Sequence, residues 1–263
     1  MTRKDGPVAL VTGASSGTGR ATALALAEAG YDLGLIGRRT ELLEEAAAEI
    51  AAAGRQALVL TADVTDATAV GEALQTFFGW SGDRVDVLVN AAGITGPLGN
   101  PIGEIALADF DAVIATNLRA PFLILSHVLP VMRRQGFGRV VNIGGNHGMR
   151  GRAGRSSYST AKWGLRGLTR SAALEVGKFG VTVNYIAPGP IAVPRMKARW
   201  AAAAEAEGVD VQVIVDRYVA DMAIATGRPN EPKDIVAMVL FLIGPGGRNI
   251  TGQELVVDGG VVV

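Results

Sequence analysis

Short apolar segments alternate with Ala- and Leu-rich helical segments along most of this chain, and this alternation restricts the fold more than any other feature. The apolar segments at 7–12, 32–36 and 57–60 are each followed by a stretch with helical periodicity. Such an order predicts parallel strands that are joined by helices and buried on both faces of the sheet. We therefore expect an α/β fold, a single doubly wound domain over 1–263.

The later segments continue the same pattern. Further strands are predicted at 85–89, 139–143, 181–186 and 254–257, and helices at 17–29, 40–53, 67–78, 117–134, 158–179 and 234–243. The segment 194–228 has helical periodicity but no strand. Ligands of such folds bind beyond the carboxyl ends of the strands, so we interpret this insertion as a helical substrate lid. Packing between subunits or mere decoration are the alternatives.

Composition excludes several classes of function. Lys and Arg together number 25, as do Asp and Glu, so net charge gives no attraction to nucleic acid or to an anionic membrane. The chain has no Cys, and its two imidazoles are His127 and His147, so we expect no metal site. We find no secretory signal and no apolar run of bilayer length, so we expect a cytoplasmic protein.

A glycine-rich loop follows the first strand and leads directly into a helix. Its sequence, TGASSGTG at 12–19, lets the backbone turn tightly and approach a pyrophosphate at the helix N-terminus. The spacing is GxxxGxG rather than GxGxxG, and a plain turn is the alternative. The loop predicts cofactor contacts at its three glycines and its small hydroxyl residues: Gly13, Ser15, Ser16, Gly17, Thr18 and Gly19.

The end of the second strand bears on the choice of dinucleotide. NAD-binding folds usually place an acidic residue there to accept from the ribose 2′-hydroxyl, but this chain has Gly37 followed by Arg38 and Arg39. Guanidinium groups suit a 2′-phosphate, so we predict NADP(H), with NAD(H) as the alternative. Asp63, after the third strand, is expected either to bind the adenine amino group or to cap the next turn.

Tyr158 and Lys162 are four residues apart in a predicted helix, and this spacing places both side chains on one face. A phenol ordinarily titrates near pH 10. A neighbouring ammonium group stabilises phenolate, so the pair predicts an acid/base at Tyr158 that works nearer to neutral pH.

Together these motifs resemble the short-chain dehydrogenase/reductase family over essentially the whole chain. The matching segments occur in the family's order, at 12–19, 63–64, 90–93, Asn117, Tyr158 with Lys162, 188–191 and 257–260. The resemblance implies a Rossmann-type sheet of about seven parallel strands. It also implies an oxidoreductase that transfers a hydride between the dinucleotide and a small carbonyl or alcohol substrate.

The resemblance also implies roles for individual residues. Tyr158 would donate or accept the proton, and Lys162 would bind the nicotinamide ribose and lower the pKa of Tyr158. Asn117 would anchor a water between Lys162 and solvent, and Asn90 would hold the fourth strand against the cofactor. Further cofactor contacts are implied at residues of the matched motifs: Asp63, Val64, Ala91, Gly93, Pro188, Gly189 and Ile191.

The sequence departs from the family at the position of its catalytic serine. The family has a Ser thirteen residues before the Tyr, and here that position is Gly145. Asn146 or His147 is expected to donate to the substrate oxygen instead. The alternatives are a water in the space beside Gly145, a protein that binds the cofactor without efficient turnover, or a shifted loop that brings in Ser156 or Ser157.

The substrate is less well defined by the sequence. Arg150, Arg152 and Arg155 precede Tyr158 and suit recognition of a carboxylate or phosphate, with Arg155 the best placed. Exposure to solvent, or contacts between subunits, is the alternative reading of these arginines. Met196 and Trp200 are candidates for an apolar wall of the substrate site.

Three classes of function follow from these observations. The first is an NADP(H)-dependent carbonyl reductase or alcohol dehydrogenase. The second is a non-catalytic or weakly catalytic dinucleotide-binding protein, and the third is an isomerase or dehydratase on the same fold. A homotetramer or homodimer is expected from the resemblance, with the terminal segment 261–263 at one contact.

Overall fold

The computed structural model describes residues 6–262, which fold around one sheet of seven parallel strands. The strand order is β3-β2-β1-β4-β5-β6-β7, so the chain reverses its direction of growth across the sheet between β1 and β4. The strands are β1 Val8–Thr12, β2 Asp32–Gly37, β3 Ala57–Thr61, β4 Val87–Asn90, β5 Gly138–Ile143, β6 Val181–Pro188 and β7 Glu254–Val257. The predicted Rossmann-type, doubly wound architecture is confirmed.

Helices cover both faces of this sheet. They are α1 Gly17–Glu28, α2 Thr40–Ala52, α3 Ala67–Ser81, α4 Leu107–Ile114, α5 Ala120–Gln135, α6 Ser156–Val176, α7 Pro194–Glu207, α8 Val211–Asp221 and α9 Pro232–Ile243. Alternate residues of β1 illustrate the two cores. Val8 and Leu10 pack in a cluster with α3 and α5, whereas Ala9 and Val11 pack in one with α1, α2 and α9.

The predicted helix at 117–134 differs most from the structure. The helical run begins at Leu107 with α4, and a π-helical turn, Ala115–Arg119, joins it to α5. Because α4 buries Val113 alone among its residues, it lacks the broad apolar stripe that marks a core helix. The expectation that no apolar run has bilayer length is wrong by length and composition, because the run Leu107–Gln135 is long and apolar enough to cross a bilayer. Within the fold, α5 packs against α3 and α6.

The insertion after β6 consists of α7 and α8, as its helical periodicity predicts. Trp200 of α7 is buried and lies 5.4 Å from the ring of Tyr218 on α8. The two helices therefore pack on each other, while residues 193–195 at the start of the insertion border the cleft described below. Residues 1–5 and Val263, which the sequence analysis includes in the domain and in a terminal contact, lie outside the described residues.

Candidate active site

A cleft of about 800 Å³ lies at the carboxyl ends of the strands. It straddles β1 and β4, where the strand order reverses and where doubly wound folds bind their ligands. All but one of the predicted cofactor-binding residues line it: Gly13, Ser15, Ser16, Gly17, Thr18, Gly19, Arg38, Arg39, Asp63, Val64, Ala91, Gly93, Tyr158, Lys162, Pro188, Gly189 and Ile191. Asn90 lies beneath the cleft and donates to Asn142 of β5 at 2.8 Å.

Close packing explains the glycines of the first loop. Gly13 has a φ of +68°, and a Cβ there would lie 2.8 Å from the backbone nitrogen of Ala92. A Cβ on Gly19 would lie 2.3 Å from the carbonyl oxygen of Gly13. The loop therefore seats the N-terminus of α1 directly against the end of β4, leaving free backbone N–H groups where a pyrophosphate binds.

Arg38 and Arg39, the two arginines after β2, line the cleft at the end away from Lys162. The Arg39 guanidinium donates to Ser15 Oγ at 2.9 Å and to Ser16 Oγ at 2.6 Å, so it lies over the glycine loop. Arg38 is exposed and lies 3.7 Å from Asp63. Asp63 Oδ1 accepts from the Thr65 backbone and hydroxyl, which lowers the pKa of this carboxyl and closes the turn. An adenine contact by Asp63 stays a prediction.

Lys162 is buried beneath the opposite end of the cleft. Its Nζ donates to the Ile143 carbonyl oxygen at 3.1 Å, and burial lowers its pKa to about 8. The buried Asn117 amide pairs with both backbone groups of Ile94, at 2.8 and 2.9 Å. The Asn117 side chain therefore fixes the loop after β4. The predicted water between Lys162 and solvent stays a prediction.

The pKa of Tyr158 differs from the prediction. Burial raises it to about 12, while Arg155 and Arg195 partly oppose this shift. Lys162 Nζ lies 5.5 Å from the centre of the phenol ring, and the ammonium itself is destabilised by burial. Desolvation is the largest cause of the raised pKa in the protein alone, and the expectation that Lys162 lowers this pKa stays a prediction for the cofactor-bound protein.

The phenol oxygen of Tyr158 faces Gly145. A Cβ on Gly145 would lie 2.9 Å from it, so the thirteen-residue spacing is preserved in space and no loop shift has moved Gly145 from this position. Ser156 and Ser157 therefore do not replace it. The φ of Gly145 is 172°, an extended conformation that any residue adopts. Space beside Tyr158, rather than backbone strain, distinguishes glycine here.

A second tyrosine, Tyr185 of β6, supports this segment from behind. Its hydroxyl donates to the Gly145 carbonyl oxygen and accepts from the Gly145 N–H, both at 3.0 Å. A Cβ on Gly144 would lie 1.8 Å from the Tyr185 ring, and one on Gly148 would lie 2.3 Å from its hydroxyl. The glycines around position 145 thus make room for a fully buried phenol.

We expect Tyr185→Phe to lower the free energy of unfolding by about 1–3 kcal/mol, because both buried backbone groups of Gly145 lose their partner. Urea denaturation measures this change. Tyr31→Phe, at the amino end of β2, is the matched control and should be nearly neutral. Equal stability of Tyr185→Phe and the unmodified protein would contradict the role given to this hydroxyl.

The two side chains predicted to replace the serine face different surroundings. Asn146 is buried, and its amide donates to Asp258 at 3.3 Å, so it is engaged away from Tyr158. The His147 ring stands edge-on to the Tyr158 ring at 5.8 Å, and its buried Nε2 has no partner among the described residues. Burial, with Arg155, Arg152 and Arg150, lowers the His147 pKa to about 4, so the imidazole is neutral at pH 7.

The predicted substrate residues are distributed unevenly. Arg155 is the N-cap residue of α6, with no capping hydrogen bond from its side chain. It is not among the residues lining the cleft, but it lowers the pKa of Tyr158. Met196 is half-buried on α7 and is not among the residues lining the cleft. Trp200 packs against Tyr218, so its prediction as a substrate wall is wrong: its apolar surface is used in joining α7 to α8.

Sequence reasoning missed Tyr185, Gly144, Gly148 and Arg195. Tyr185 lies in a strand that is buried along its whole length, where its sequence context indicates a core residue. Only its packing against the GGNHG segment that follows β5 shows that Gly144 and Gly148 make room for it. Arg195 lines the cleft at the start of α7. Its position within the segment interpreted as a lid was the one available signal.

The fold and the cleft define a nicotinamide-dinucleotide oxidoreductase. The chain matches the family model described as short chain dehydrogenase over residues 7–205, and it belongs to that family. It is 38% identical to levodione reductase of Leifsonia aquatica, with 98% of this chain and 95% of the relative covered.

Two similar solved structures contain dinucleotides. A variant of the actinorhodin polyketide ketoreductase with NADPH aligns with a TM-score of 0.88 and 34% identity, covering 99% of both chains. A xylitol dehydrogenase bound to NAD⁺ aligns with a TM-score of 0.87 and 30% identity, covering 97% of this chain and 98% of its own. Similarity alone therefore leaves the choice between NADP(H) and NAD(H) open.

Proposed function

We propose that this protein transfers a hydride between NADP(H) and a small carbonyl or alcohol substrate, with Tyr158 as the acid/base. The observation that carries the proposal is one continuous cleft that begins at Arg38 and Arg39, passes the glycine loop and ends at Tyr158 and Lys162. Its residues fit a dinucleotide, because glycines leave its phosphate end open and the guanidinium groups after β2 suit a 2′-phosphate.

The bound cofactor supplies the hydride to the carbonyl carbon in the direction of reduction. Tyr158 donates its proton to the substrate oxygen as negative charge develops there, and takes it back in the reverse reaction. A pKa near 12 keeps the phenol protonated at neutral pH, which suits reduction. Lys162, whose ammonium donates to the Ile143 carbonyl oxygen, would hold the cofactor ribose beside Tyr158.

For the second hydrogen bond to the substrate oxygen, we propose His147 in place of the missing serine. A neutral imidazole can donate from one nitrogen. The buried Nε2 of His147 has no hydrogen-bond partner among the described residues, and the His147 ring lies beside that of Tyr158. An unpaired buried polar atom costs free energy, and a substrate oxygen would relieve that cost. Asn146 is the weaker candidate because Asp258 already holds its amide.

We expect His147→Ala to lower kcat by about 10²-fold, as the loss of an oxyanion donor does, with little change in dinucleotide affinity. Steady-state kinetics of carbonyl reduction measure this. His127→Ala, which removes the exposed histidine of α5, is the matched control and should keep full activity. If His147→Ala turned over as fast as the unmodified enzyme, Tyr158 alone, or a water, would serve the substrate oxygen.

The activity itself is tested with a panel of aldehydes, ketones and secondary alcohols, each offered with all four nicotinamide dinucleotides. The proposal expects turnover of some carbonyl compounds, with kcat/KM for NADPH at least tenfold above that for NADH. Tight NADPH binding without oxidation by any compound would instead favour a binding protein. A reversed preference for NADH would refute the role given to Arg38 and Arg39.

A further inference from the structure

Five arginines gather around the substrate side of Tyr158. Three come from the loop between β5 and α6 and two from α7: Arg150, Arg152, Arg155, Arg195 and Arg199. Arg155 and Arg195 both lower the pKa of Tyr158, and Arg195 lines the same cleft as Tyr158. Arg152 and Arg199 both lower the pKa of Arg155, so the arginines of the loop lie close to those of α7.

This cluster has no acidic partner within 4.0 Å among residues 6–262. Several other arginines have acidic partners. Arg166 and Arg170 share Glu254, and Arg228 makes two hydrogen bonds to Asp234. The first turn of α6, next to Arg155, contains no acidic residue either. The positive end of that helix thus adds to the same field.

Uncompensated like charges at this density destabilise the folded protein. Burial lowers the pKa of Arg155, and Arg152 and Arg199 lower it further, which is the signature of mutual repulsion. Burial is the largest cause of the low pKa of His147, and Arg155, Arg152 and Arg150 lower this pKa further. An anion bound beside the Tyr158 hydroxyl would relieve this repulsion through charge-assisted hydrogen bonds to the arginines.

The loop that carries these arginines is held in place. Gly154, with a φ of +70°, contacts Gly99 so closely that a Cβ would lie 2.6 Å from the Gly99 Cα, and its carbonyl oxygen accepts from the Gly99 N–H at 3.1 Å. Arg166 donates to the Gly148 carbonyl oxygen at 2.6 Å. Arg152 contacts Met222 beyond α8 at 2.8 Å, which ties the loop to the insertion.

We infer that the substrate carries an anionic oxyacid group, a carboxylate or a phosphate, which Arg155 and Arg195 hold while its carbonyl meets Tyr158. The inference rests on the proposed hydride transfer and names its substrate class. Arg155 precedes Tyr158 by three residues, Arg195 lines the cleft at the start of α7, and both lower the pKa of the Tyr158 phenol, so an anion held by the two would lie beside that hydroxyl. Arg152 and Arg199 add to the positive field around Arg155.

The test compares each anionic ketone with its neutral twin. Levulinate and para-acetylbenzoate are paired with their methyl esters, and para-acetylphenyl phosphate with para-acetylphenol. We expect kcat/KM at least tenfold higher for one anion than for its twin, through KM, and a preference that shrinks with added salt. The phosphate pair distinguishes a phosphate ligand from a carboxylate.

Arg155→Gln and Arg195→Gln should each reduce the preference for the anion by about 10–100-fold, the loss expected for one charge-assisted contact. Arg134→Gln, an exposed arginine at the end of α5, is the charge-matched control and should keep it. Turnover of the esters and of para-acetylphenol with no preference for any anion would overturn the inference and leave the proposed function intact.

Binding to the NADPH complex gives a readout that does not need turnover. Calorimetric titration should detect binding of para-acetylbenzoate or para-acetylphenyl phosphate in the millimolar range or tighter, but not of methyl para-acetylbenzoate or para-acetylphenol, and the anion's binding should be lost in Arg155→Gln. Such binding supports the anion site even if no ketone is reduced, which would count against the hydride transfer instead. Failure of every anion to bind and to be turned over would overturn the inference.

Discussion

Tyr158→Phe is expected to reduce kcat for carbonyl reduction by about 10²–10⁴-fold while changing the Kd for NADPH by only a few-fold. The Tyr158 hydroxyl faces Gly145, the position at which the family has a serine that would supply a second hydroxyl. Removing it leaves the substrate oxygen without its proton donor. The ring remains in place against His147, so the cleft itself should be preserved.

Single-turnover kinetics and a direct NADPH titration separate these two quantities. Tyr31→Phe removes a hydroxyl at the opposite edge of the sheet and should leave both unchanged. The expected pattern is a loss in kcat alone. A parallel loss of NADPH binding would show that the phenol holds the cofactor rather than the reacting oxygen, and an unchanged kcat would remove Tyr158 from the chemistry.

Gly37→Asp is expected to reverse the cofactor preference, lowering kcat/KM with NADPH by about 10²–10³-fold and raising it with NADH. A Cβ at Gly37 would make ordinary contacts, 3.4 Å to Leu43 and 3.6 Å to Ser15 Oγ, so the fold accepts the side chain. The carboxylate would then repel a 2′-phosphate, at a cost of several kcal/mol, and accept from a ribose 2′-hydroxyl.

Gly37→Asn is the matched control, because it has the shape of Asp without its charge. It should weaken NADPH use far less than Gly37→Asp does. Initial rates with each dinucleotide at several concentrations measure both variants. Equal losses in the two variants would mean that bulk rather than charge acts at this position, and the argument for a 2′-phosphate beside Arg38 and Arg39 would fail.

The parts of this molecule that depend on local chemistry could be predicted from sequence. Apolar strands between helices predict the parallel sheet, and strand, glycine loop and helix in succession place Gly13, Gly17 and Gly19 at its carboxyl edge. The four-residue spacing of Tyr158 and Lys162 predicts that they share a helix face. In each case a few neighbouring residues contain the whole physical argument.

What the sequence could not supply depends on contacts between distant segments. Tyr185 lies on β6 and Gly144 directly follows β5, and no local pattern shows that the Tyr185 ring occupies the space beside Gly144. The pKa of Tyr158 is raised mainly by burial, which depends on the packing of the whole domain. Trp200 has the periodicity of either a substrate wall or a packing residue, and only its contact with Tyr218 decides.

The departure at Gly145 gains a physical explanation from these contacts. Gly144 and Gly148 leave room for Tyr185 on one side, and Gly145 lets the Tyr158 hydroxyl lie close to the backbone on the other. A serine at 145 would place its Cβ at 2.9 Å from the Tyr158 hydroxyl and force that phenol to move. The site is thus arranged around the tyrosine in its present position, with His147 beside it.

The central claim is that a hydride passes from the dinucleotide to a substrate carbon beside Tyr158. NADPH carrying deuterium on the transferring face of C4 tests it most directly, with the alcohol product analysed by mass spectrometry. The account predicts deuterium on the carbinol carbon, one atom per NADPH oxidised, and almost none when Tyr158→Phe replaces the unmodified enzyme. Alcohol formed without the label, or label transferred equally well by Tyr158→Phe, would contradict it.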